Sequence, residues 1–574
     1  MSDKAGMAYV EDVEDGIKPV TDDPVMGTTK IEGGDDVILV PAPSADPRDP
    51  LNLPKWRKAL FVVLTSICKY RGHIHIWMGL TIRSFGSRAE YHPRSWRPTD
   101  LLYSGILKGW CHVRRHYCTH DLSDDVSCSI FEVYACKPLT KIGCRFMGVG
   151  NLICMPIALA VGRRPVYLFS LALLIASSVL AAYAKDYNWH LGARMAMGLA
   201  VGNSEALVPM MISEIHFIHE RAQHLMWQSA IQTSVAAVLI LCASPIAGAV
   251  GPGNWYNLGA ALSAATLLLS IPFVPESRYE RSLQAYGQAQ VSPGSKDEEE
   301  YRPVRLSERP ALDLTQYKPR TLWSDMRLKT GKTDVWEGIF CVRNTFQILL
   351  FPNVLWAFCL NGLTIGTNVS IGTTFGTVMT SVYGWPDRSS SYVNAGQIVV
   401  AIVGLPILGY GSDKLITWKA SRNKGVHEPE SRLMLLGLPL SVGVLGAVIY
   451  GQAAAYPEKL HWFAIVAAIA MYYFAFVGGN IAAITYLLDS YPARAGPCLI
   501  VITAFRGFVS FGVSYGISDF IESHGYDGCF GTFGGLTAAF AILAIPIYFF
   551  GKRIRRFTGK WSVKEKPTRP SMAR

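Results

Sequence analysis

The chain has 574 residues, of which 50% are hydrophobic and only 17% are charged, and its formal net charge is +11. A water-soluble protein carries about 25% charged residues, so this composition excludes an ordinary soluble fold and predicts an integral membrane protein. The basic residues lie in short loops and in the C-terminal tail, between apolar stretches. That placement favours a membrane surface over nucleic acid as the partner of the positive charge.

Apolar stretches of bilayer length recur along the chain. A helix needs about 20 such residues to cross the hydrocarbon core, because lipid offers its backbone no hydrogen-bond partner. The first stretch, 59–68, stops short, and the second, 141–161, carries Arg145 near its start. The clear candidates that follow are 165–184, 190–212, 225–250, 258–274, 347–380, 389–411, 433–455, 462–488, 495–521 and 530–550.

Lysine and arginine orient these spans, since the loops that collect them face the cytosol. Basic loops alternate with nearly uncharged ones, which is consistent only if both termini are cytosolic and the number of spans is even. We therefore count 59–68 as the start of a true span and predict twelve spans. The basic loops are 162–164, 219–221, 414–432 and the tail after 551, and the opposite loops are 251–255, 456–461 and 524–527.

A long polar gap divides the chain. Residues 275–345 are rich in proline and in charge of both signs, and they contain no long apolar run. Such a segment predicts a cytosolic linker between two halves. The sequence thus predicts an all-α membrane protein of two six-helix bundles, 59–274 and 346–551, with cytosolic tails at 1–58 and 552–574.

The loop after the second span contains Gly162-Arg163-Arg164, followed by a proline. Glycine permits a tight turn between two helices, and the arginines can hold the loop at the cytosolic face by gripping helix ends or carboxylates. Residues 151–165 resemble the loop signature of the major facilitator superfamily in its fungal form. That signature usually has an acid or amide three residues before the glycine. This chain has Leu159 there, so half of the usual charge latch is absent.

Further segments extend the resemblance. Residues 409–414 repeat part of the signature in the second half, with Asp413 and Lys414 present and the Gly-Arg-Arg missing. Other segments resemble the family's fourth span, its antiporter-associated fifth span, the close of its sixth span, and the N-terminal segment of fungal drug:proton antiporter-like members: 194–205, 244–248, 274–281 and 46–58.

The resemblance covers residues 46–68 and 139–557. It implies the major-facilitator fold, with a cavity between the two bundles and alternating access by rocking of the halves. It further implies proton-coupled import or export of a small organic solute, such as a drug-like cation, a polyamine or a secondary metabolite. The expected molecule is a monomer without a cofactor, in the plasma membrane or the vacuolar membrane.

Charged side chains inside predicted spans are candidates for the transport pathway, because each costs roughly 3 kcal/mol or more. Glu205 could take up a proton or pair with a cationic substrate, or it could form only a helix–helix hydrogen bond. Arg194, about three turns earlier on the same face, could hold an anionic partner or tune a proton site, or it could only reach to the membrane interface. Arg506 either pairs with a carboxylate or carbonyl in the cavity or anchors its helix.

Amide and hydroxyl side chains form a second group of candidates. Asn361 and Asn368 are seven residues apart on one face of a span rich in glycine and threonine. This composition is typical of a gating helix that lines the cavity, with simple polar packing as the alternative. The remaining candidates are Asn203, Asn394, Gln397, Asn480 and Tyr486 for the lining, and Gly162, Arg163, Arg164, Asp413, Lys414 and Asp489 for the cytosolic gate and its loop motif.

Common catalytic motifs are missing from the sequence. It has no phosphate-binding loop, no His-Glu-x-x-His and no nucleophile elbow. We therefore expect no enzyme, no metal site and no direct drive by ATP. The alternative to a transporter is a transport-inactive membrane relative, such as a sensor.

Residues 69–138 break the pattern, because Lys69 and Arg71 follow where about ten more apolar residues should complete the first span. Seven Cys and His residues between 111 and 136 could suggest zinc, but their spacing matches no common zinc module. A genuine external loop is a further alternative. We hypothesise a mistranslated or misannotated segment, such as a retained intron or a shifted frame, which would damage the first span and put transport in doubt. Sequencing the transcript across codons 60–140 decides between these explanations.

Overall fold

The computed structural model is nearly all helical. It describes residues 28–30, 32–33, 36–77, 146–185, 187–250, 252–279, 304, 311–317, 319–327 and 333–562.

Helices of the first half follow one another with short connections where the chain is described. Their apolar runs form helices because only a helix satisfies every backbone group within lipid. The six helices are α1 (Lys55–Trp77), α2 (Phe146–Val161), α3 (Arg163–Ala182), α4 (Tyr187–Ile215), α5 (Arg221–Val250) and α6 (Pro252–Phe273).

Two short helices precede the second half: α7 (Leu322–Asp325) and α8 (Val335–Leu349). The second half begins with α9 (Pro352–Thr377), which a π-helical turn extends to Val382. Its later helices are α10 (Ala395–Val399), α11 (Leu405–Arg422), α12 (Gly437–Ala455), α13 (Phe463–Ser490) and α14 (Ala495–Ser562). A π-helical turn joins α10 to α11, so that together they form one span.

Helix α14 is a hairpin of two spans. It has 68 residues, far more than the roughly 20 that cross a bilayer, and its path breaks at Gly525, where φ is +72°. Residue 525 requires glycine, because side-chain-bearing residues rarely adopt this backbone conformation. The segment after the break returns along α12: a Cβ at Gly451 would lie 3.0 Å from the Cβ of Phe530.

The predicted fold class is confirmed. Among the described residues, eight helices are long and apolar enough to cross a membrane, and Phe146–Val161 is a shorter apolar helix. Helix α1 continues to Trp77, past the point after Cys68 where the sequence predicts that the first span fails. Residues 78–145 lie outside the described part of the chain, so the origin of segment 69–138 stays a hypothesis.

The predicted domain limits stay predictions, although three elements cross them. Helix α1 begins at Lys55, inside the expected N-terminal tail. Helix α8 spans the expected linker boundary at residue 346. Helix α14 runs to Ser562, well into the expected C-terminal tail.

The halves meet along closely packed helices. A Cβ at Gly148 of α2 would lie 2.7 Å from the carbonyl oxygen of Ala504 of α14. A Cβ at Gly409 of α11 would lie 2.8 Å from the Cβ of Met226 of α5. Larger side chains at these glycines would push the halves apart.

Strands occur only at one end of the bundle in the described chain. Strand β1 (Thr29–Lys30) pairs with β4 (Val426–His427), and β2 (Glu32–Gly33) pairs with β3 (Asp36–Val37). The end of α14 lies at the same place, where Arg555 donates to Thr28 at 3.3 Å. We call this end of the bundle the termini face.

Candidate functional site

The centre of the bundle holds an ion pair between its two halves. Glu205 of α4 and Arg506 of α14 are in direct contact, and both side chains are buried. Glu205 lies ten residues before the end of α4, and Arg506 lies eleven residues after the start of α14. At 1.5 Å per residue, both are about 15 Å from the termini face, near the middle of a membrane of about 30 Å.

Two further polar contacts involve helices of the same central region. The hydroxyls of Thr233 on α5 and Tyr473 on α13 are hydrogen-bonded to each other, which links the halves a second time. Within the second half, Asn361 Nδ2 donates to Asn480 Oδ1 at 2.5 Å. The two asparagines predicted to line the cavity therefore differ. Asn361 is hydrogen-bonded to α13, whereas Asn368 is half-buried.

Arg194 does not join this centre. It lies 21 residues before the end of α4, near the opposite end of the bundle. Its Nη2 donates to the Tyr256 hydroxyl at 2.6 Å, and its Nε donates to His190 Nε2 at 3.1 Å. These contacts tie α4 to the start of α6 at the end remote from the termini face.

The other lining candidates are scattered. Asn203 Nδ2 donates to the carbonyl oxygen of Val166 at 3.2 Å and so bonds α4 to α3. Gln397 Nε2 donates to Asn394 Oδ1 at 3.1 Å, at the end of the bundle away from the termini face. Tyr486 lies in the last turns of α13, four residues before its end, so the structure does not bring these residues into one site.

Asp489 of α13 joins the halves at the termini face. Its Oδ1 accepts a hydrogen bond from Arg221 Nη1 of α5 at 2.6 Å, and its Oδ2 accepts one from Arg432 Nε at 2.5 Å. All three side chains are buried. A carboxylate between two guanidiniums is a strong charge-assisted link, here between the first half and the second.

A second carboxylate strengthens this contact. Asp413 Oδ2 of α11 accepts a hydrogen bond from the backbone N–H of Gln223, in the first turn of α5, at 2.8 Å. Arg432 Nη2 donates to the carbonyl oxygen of Ile218 at 3.1 Å. Lys414 is exposed and lies over the ring of Tyr410, so it is not part of this contact. We call Asp413, Asp489, Arg221 and Arg432 the latch.

The loop motif is held by acids that lie outside it. Gly162 has φ +135°, and a Cβ there would lie 2.6 Å from Glu276 Oε2. The Glu276 carboxylate accepts hydrogen bonds from the backbone N–H groups of Arg163 and Arg164 at 3.0 and 3.2 Å, as expected for an acid at the start of a helix. Arg163 also pairs with Glu214 of α4 at 3.0 Å.

Arg164 is fully buried and donates to two backbone carbonyl oxygens, those of Ile271 and Arg327, both at 2.6 Å. The loop motif therefore ties α3 to the end of α6 and to the linker. Leu159, where the family signature has an acid or amide, packs against α14: a Cβ at Gly496 would lie 2.8 Å from its Cδ1. An apolar contact therefore takes the place of the acid or amide that the family signature has at this position.

Several of these contact residues are not among the candidates predicted from the sequence. Arg221 and Arg432 served there only to orient loops, and Glu214 and Glu276 were not singled out. Their signal is position, since each is a charge within a few residues of a predicted helix end. Sequence alone cannot say which of the many helix-end charges are buried together.

His427 of β4 also faces the latch. Its Nε2 lies 3.5 Å from Asp489 Oδ2, and the imidazole is buried. Burial lowers the pKa of His427 below its usual range, and the nearby Arg432 and Arg555 add to this, although Asp489 opposes it. The imidazole is therefore neutral at neutral pH.

No group of three or more His, Cys, Asp or Glu within the described ranges is arranged to hold a metal ion. The cysteines and histidines between 111 and 136 that raised the zinc alternative lie outside those ranges.

Comparison with known proteins gives consistent matches. A family model described as Major Facilitator Superfamily matches residues 144–514, about two thirds of the chain. An uncharacterised MFS-type transporter of Schizosaccharomyces pombe is 24% identical over 567 residues, covering 92% of this chain and 89% of the relative. Protein HOL1 of Saccharomyces cerevisiae is 22% identical over 599 residues, covering 92% and 91%.

Two solved structures share the fold. The human organic anion transporter MFSD10 aligns with a TM-score of 0.54 at 13% identity, over 86% of this chain and 100% of that chain. The proton:xylose symporter XylE aligns with a TM-score of 0.50 at 13% identity, over 88% and 95%. At such low identities the likeness concerns the helical bundle and carries no information about the solute.

Proposed function

The chain belongs to the major facilitator superfamily, a family of multi-pass secondary transporters of small solutes, and from that premise we propose that it moves a small organic solute by proton-coupled alternating access. The Glu205–Arg506 pair carries this proposal. It is the contact at mid-membrane depth in which a titratable group of one half meets a charge of the other.

A carboxylate of one half that is paired with a guanidinium of the other half can couple binding of a proton or solute to movement of the halves. In the arrangement described here, the Glu205 side chain is in contact with the Arg506 guanidinium. When the halves separate, the carboxylate loses this partner, and a proton or a cationic solute can take its place. Binding at Glu205 and movement of the halves are then linked, which is the requirement for coupled transport.

The latch supplies the second element of alternating access. In the structure it joins the halves at the termini face, which we assign to the cytosol from the lysine and arginine content of its loops. Opening to the cytosol must break the contacts of Asp489 and Asp413 with the first half. On this proposal, the arrangement in which Asp489 and Asp413 hold the halves together is the one closed at that face. We further propose that the protein is a monomer and lies in the plasma membrane or the vacuolar membrane.

A transport assay tests the proposal. A growth screen of a deletion strain across organic cations, polyamines and secondary metabolites identifies a solute, and purified protein in proteoliposomes then transports it under an imposed pH gradient. We expect flux that depends on the gradient and loses that dependence in Glu205→Gln. Glu522→Gln, which changes an exposed acid near Gly525, serves as the matched control. Flux that ignores the gradient indicates a uniporter, and no flux of any solute supports the transport-inactive alternative.

A further inference from the structure

The described residues of the N-terminal segment, 28–30, 32–33 and 36–53, lie across both halves at the termini face, and we call them the strap. The tip of the strap is bound to the second half. Thr29 and Lys30 pair with His427 and Val426 in an antiparallel ladder, and Thr28 Oγ1 accepts a hydrogen bond from Arg555 Nη1.

The middle of the strap fills a seam between the halves. Ile38 and Val40 are buried in an apolar cluster with Ile218 of the first half and with Ile416 and Ala420 of the second. The backbone N–H of Ile218 also donates to the carbonyl oxygen of Val40 at 2.9 Å. Both halves thus contribute side chains to the cluster that holds Ile38 and Val40.

The base of the strap is fixed to the first half. Asp49 is buried and accepts hydrogen bonds from the backbone N–H groups of Ser44 and Leu51, at 3.0 and 2.9 Å. The Ser44 hydroxyl lies 3.0 Å from the hydroxyl of Tyr279, beyond α6, and Leu51 packs against Phe217. The chain then continues into α1, so the base must move with the first half.

A segment with its base on one half and its tip on the other cannot keep all its contacts when the halves separate. Opening at the termini face moves Ile218 away from Ile416 and Ala420, and the strap must then release one side. From this geometry we propose that the strap is a brace that holds the termini face closed and must undock from the second half before that face opens. Docking of the strap therefore sets the fraction of protein molecules that are open to the cytosol.

This inference rests on the proposed alternating access, but it can be tested without a solute or a gradient. Ser490, at the end of α13 beside Asp489, is fully buried, and its hydroxyl has no hydrogen-bond partner in the described structure, so cysteine fits there. The rate at which a maleimide labels Ser490→Cys reports opening of the termini face. The same chain without this substitution gives the background from the native cysteines.

Val40→Asp places a charge in the seam and should undock the strap, because an unpaired charge is not retained in an apolar cluster. We expect labelling of Ser490→Cys to accelerate at least several-fold. Arg48→Asp introduces the same acid at an exposed position of the strap and should leave the rate unchanged. Val40→Ala, a milder change, should give an intermediate rate.

Size-exclusion chromatography in detergent separates undocking from misfolding. A monodisperse Val40→Asp protein that labels no faster than the parent overturns the proposal, and so does equal acceleration by Arg48→Asp. If Val40→Asp aggregates, the Val40→Ala rate decides on its own. Failure of the proposed function would instead appear as absent flux while the labelling differences persist.

Discussion

Glu205 of the fourth span and Arg506 of the eleventh span form a buried ion pair that crosses between the two halves at mid-membrane depth. Each charge is expensive in lipid by itself, and contact with its partner in the other half offsets part of that cost. The pair therefore joins the two halves through a buried contact between opposite charges.

We expect Glu205→Gln and Arg506→Gln each to destabilise the closed bundle, by up to about 3–5 kcal/mol, because each leaves an uncompensated buried partner. The double variant should be less destabilised than the sum of the two single variants. Thermal unfolding of purified protein in detergent measures all four members of this cycle. Additive effects would show that the two side chains are not energetically coupled.

Asp489→Asn should weaken the latch, because Arg221 and Arg432 both lose a charged acceptor. Breaking a buried pair typically costs about 3–5 kcal/mol, so the unfolding midpoint should fall and amide exchange around residue 221 should rise. Asp519→Asn, at an exposed position, is the control and should change neither. An unaltered midpoint in Asp489→Asn would remove Asp489 from the closing contacts.

Gly162→Ala should destabilise the protein. At φ +135° and ψ 156° the residue occupies a region that is essentially restricted to glycine, where another residue costs about 1–3 kcal/mol. The new methyl group would also collide with Glu276. Gly411→Ala is the matched control, since that glycine is helical with open space around it, and alanine should be neutral or stabilising there. Comparison of the two melting temperatures checks the prediction.

Acidification should weaken the region around His427. The pKa of His427 is lowered in the folded protein. The contribution of its neutral imidazole to the free energy of unfolding is therefore fully present above the usual pKa of about 6.5. It is lost as the pH falls through that value towards the lower folded-state pKa, by at most about 1.4 kcal/mol per pH unit.

The thermal midpoint of the parent should therefore fall more between pH 7.5 and pH 5.5 than that of His427→Gln, which cannot be protonated. Parallel pH profiles for the two proteins would contradict a neutral buried imidazole.

The sequence by itself determined that this is a multi-pass helical membrane protein with two halves. Bilayer length and the hydrogen-bonding needs of the backbone act locally, so apolar stretches such as 165–184 and 462–488 can be read from the chain. Glu205 and Arg506 stand out individually for the same reason, because a charge in an apolar stretch is visible without knowing its partner.

Only the tertiary structure decided which of these residues meet. It brought Glu205 to Arg506 and Asp489 to Arg221 across about 300 and 270 intervening residues, and it separated Arg194, Asn394 and Tyr486 from the centre. Pairing between distant helices depends on how the whole bundle packs. The depth of a residue in the membrane follows from its position along its own helix. Which residue it meets across the interface depends on how all the other helices pack.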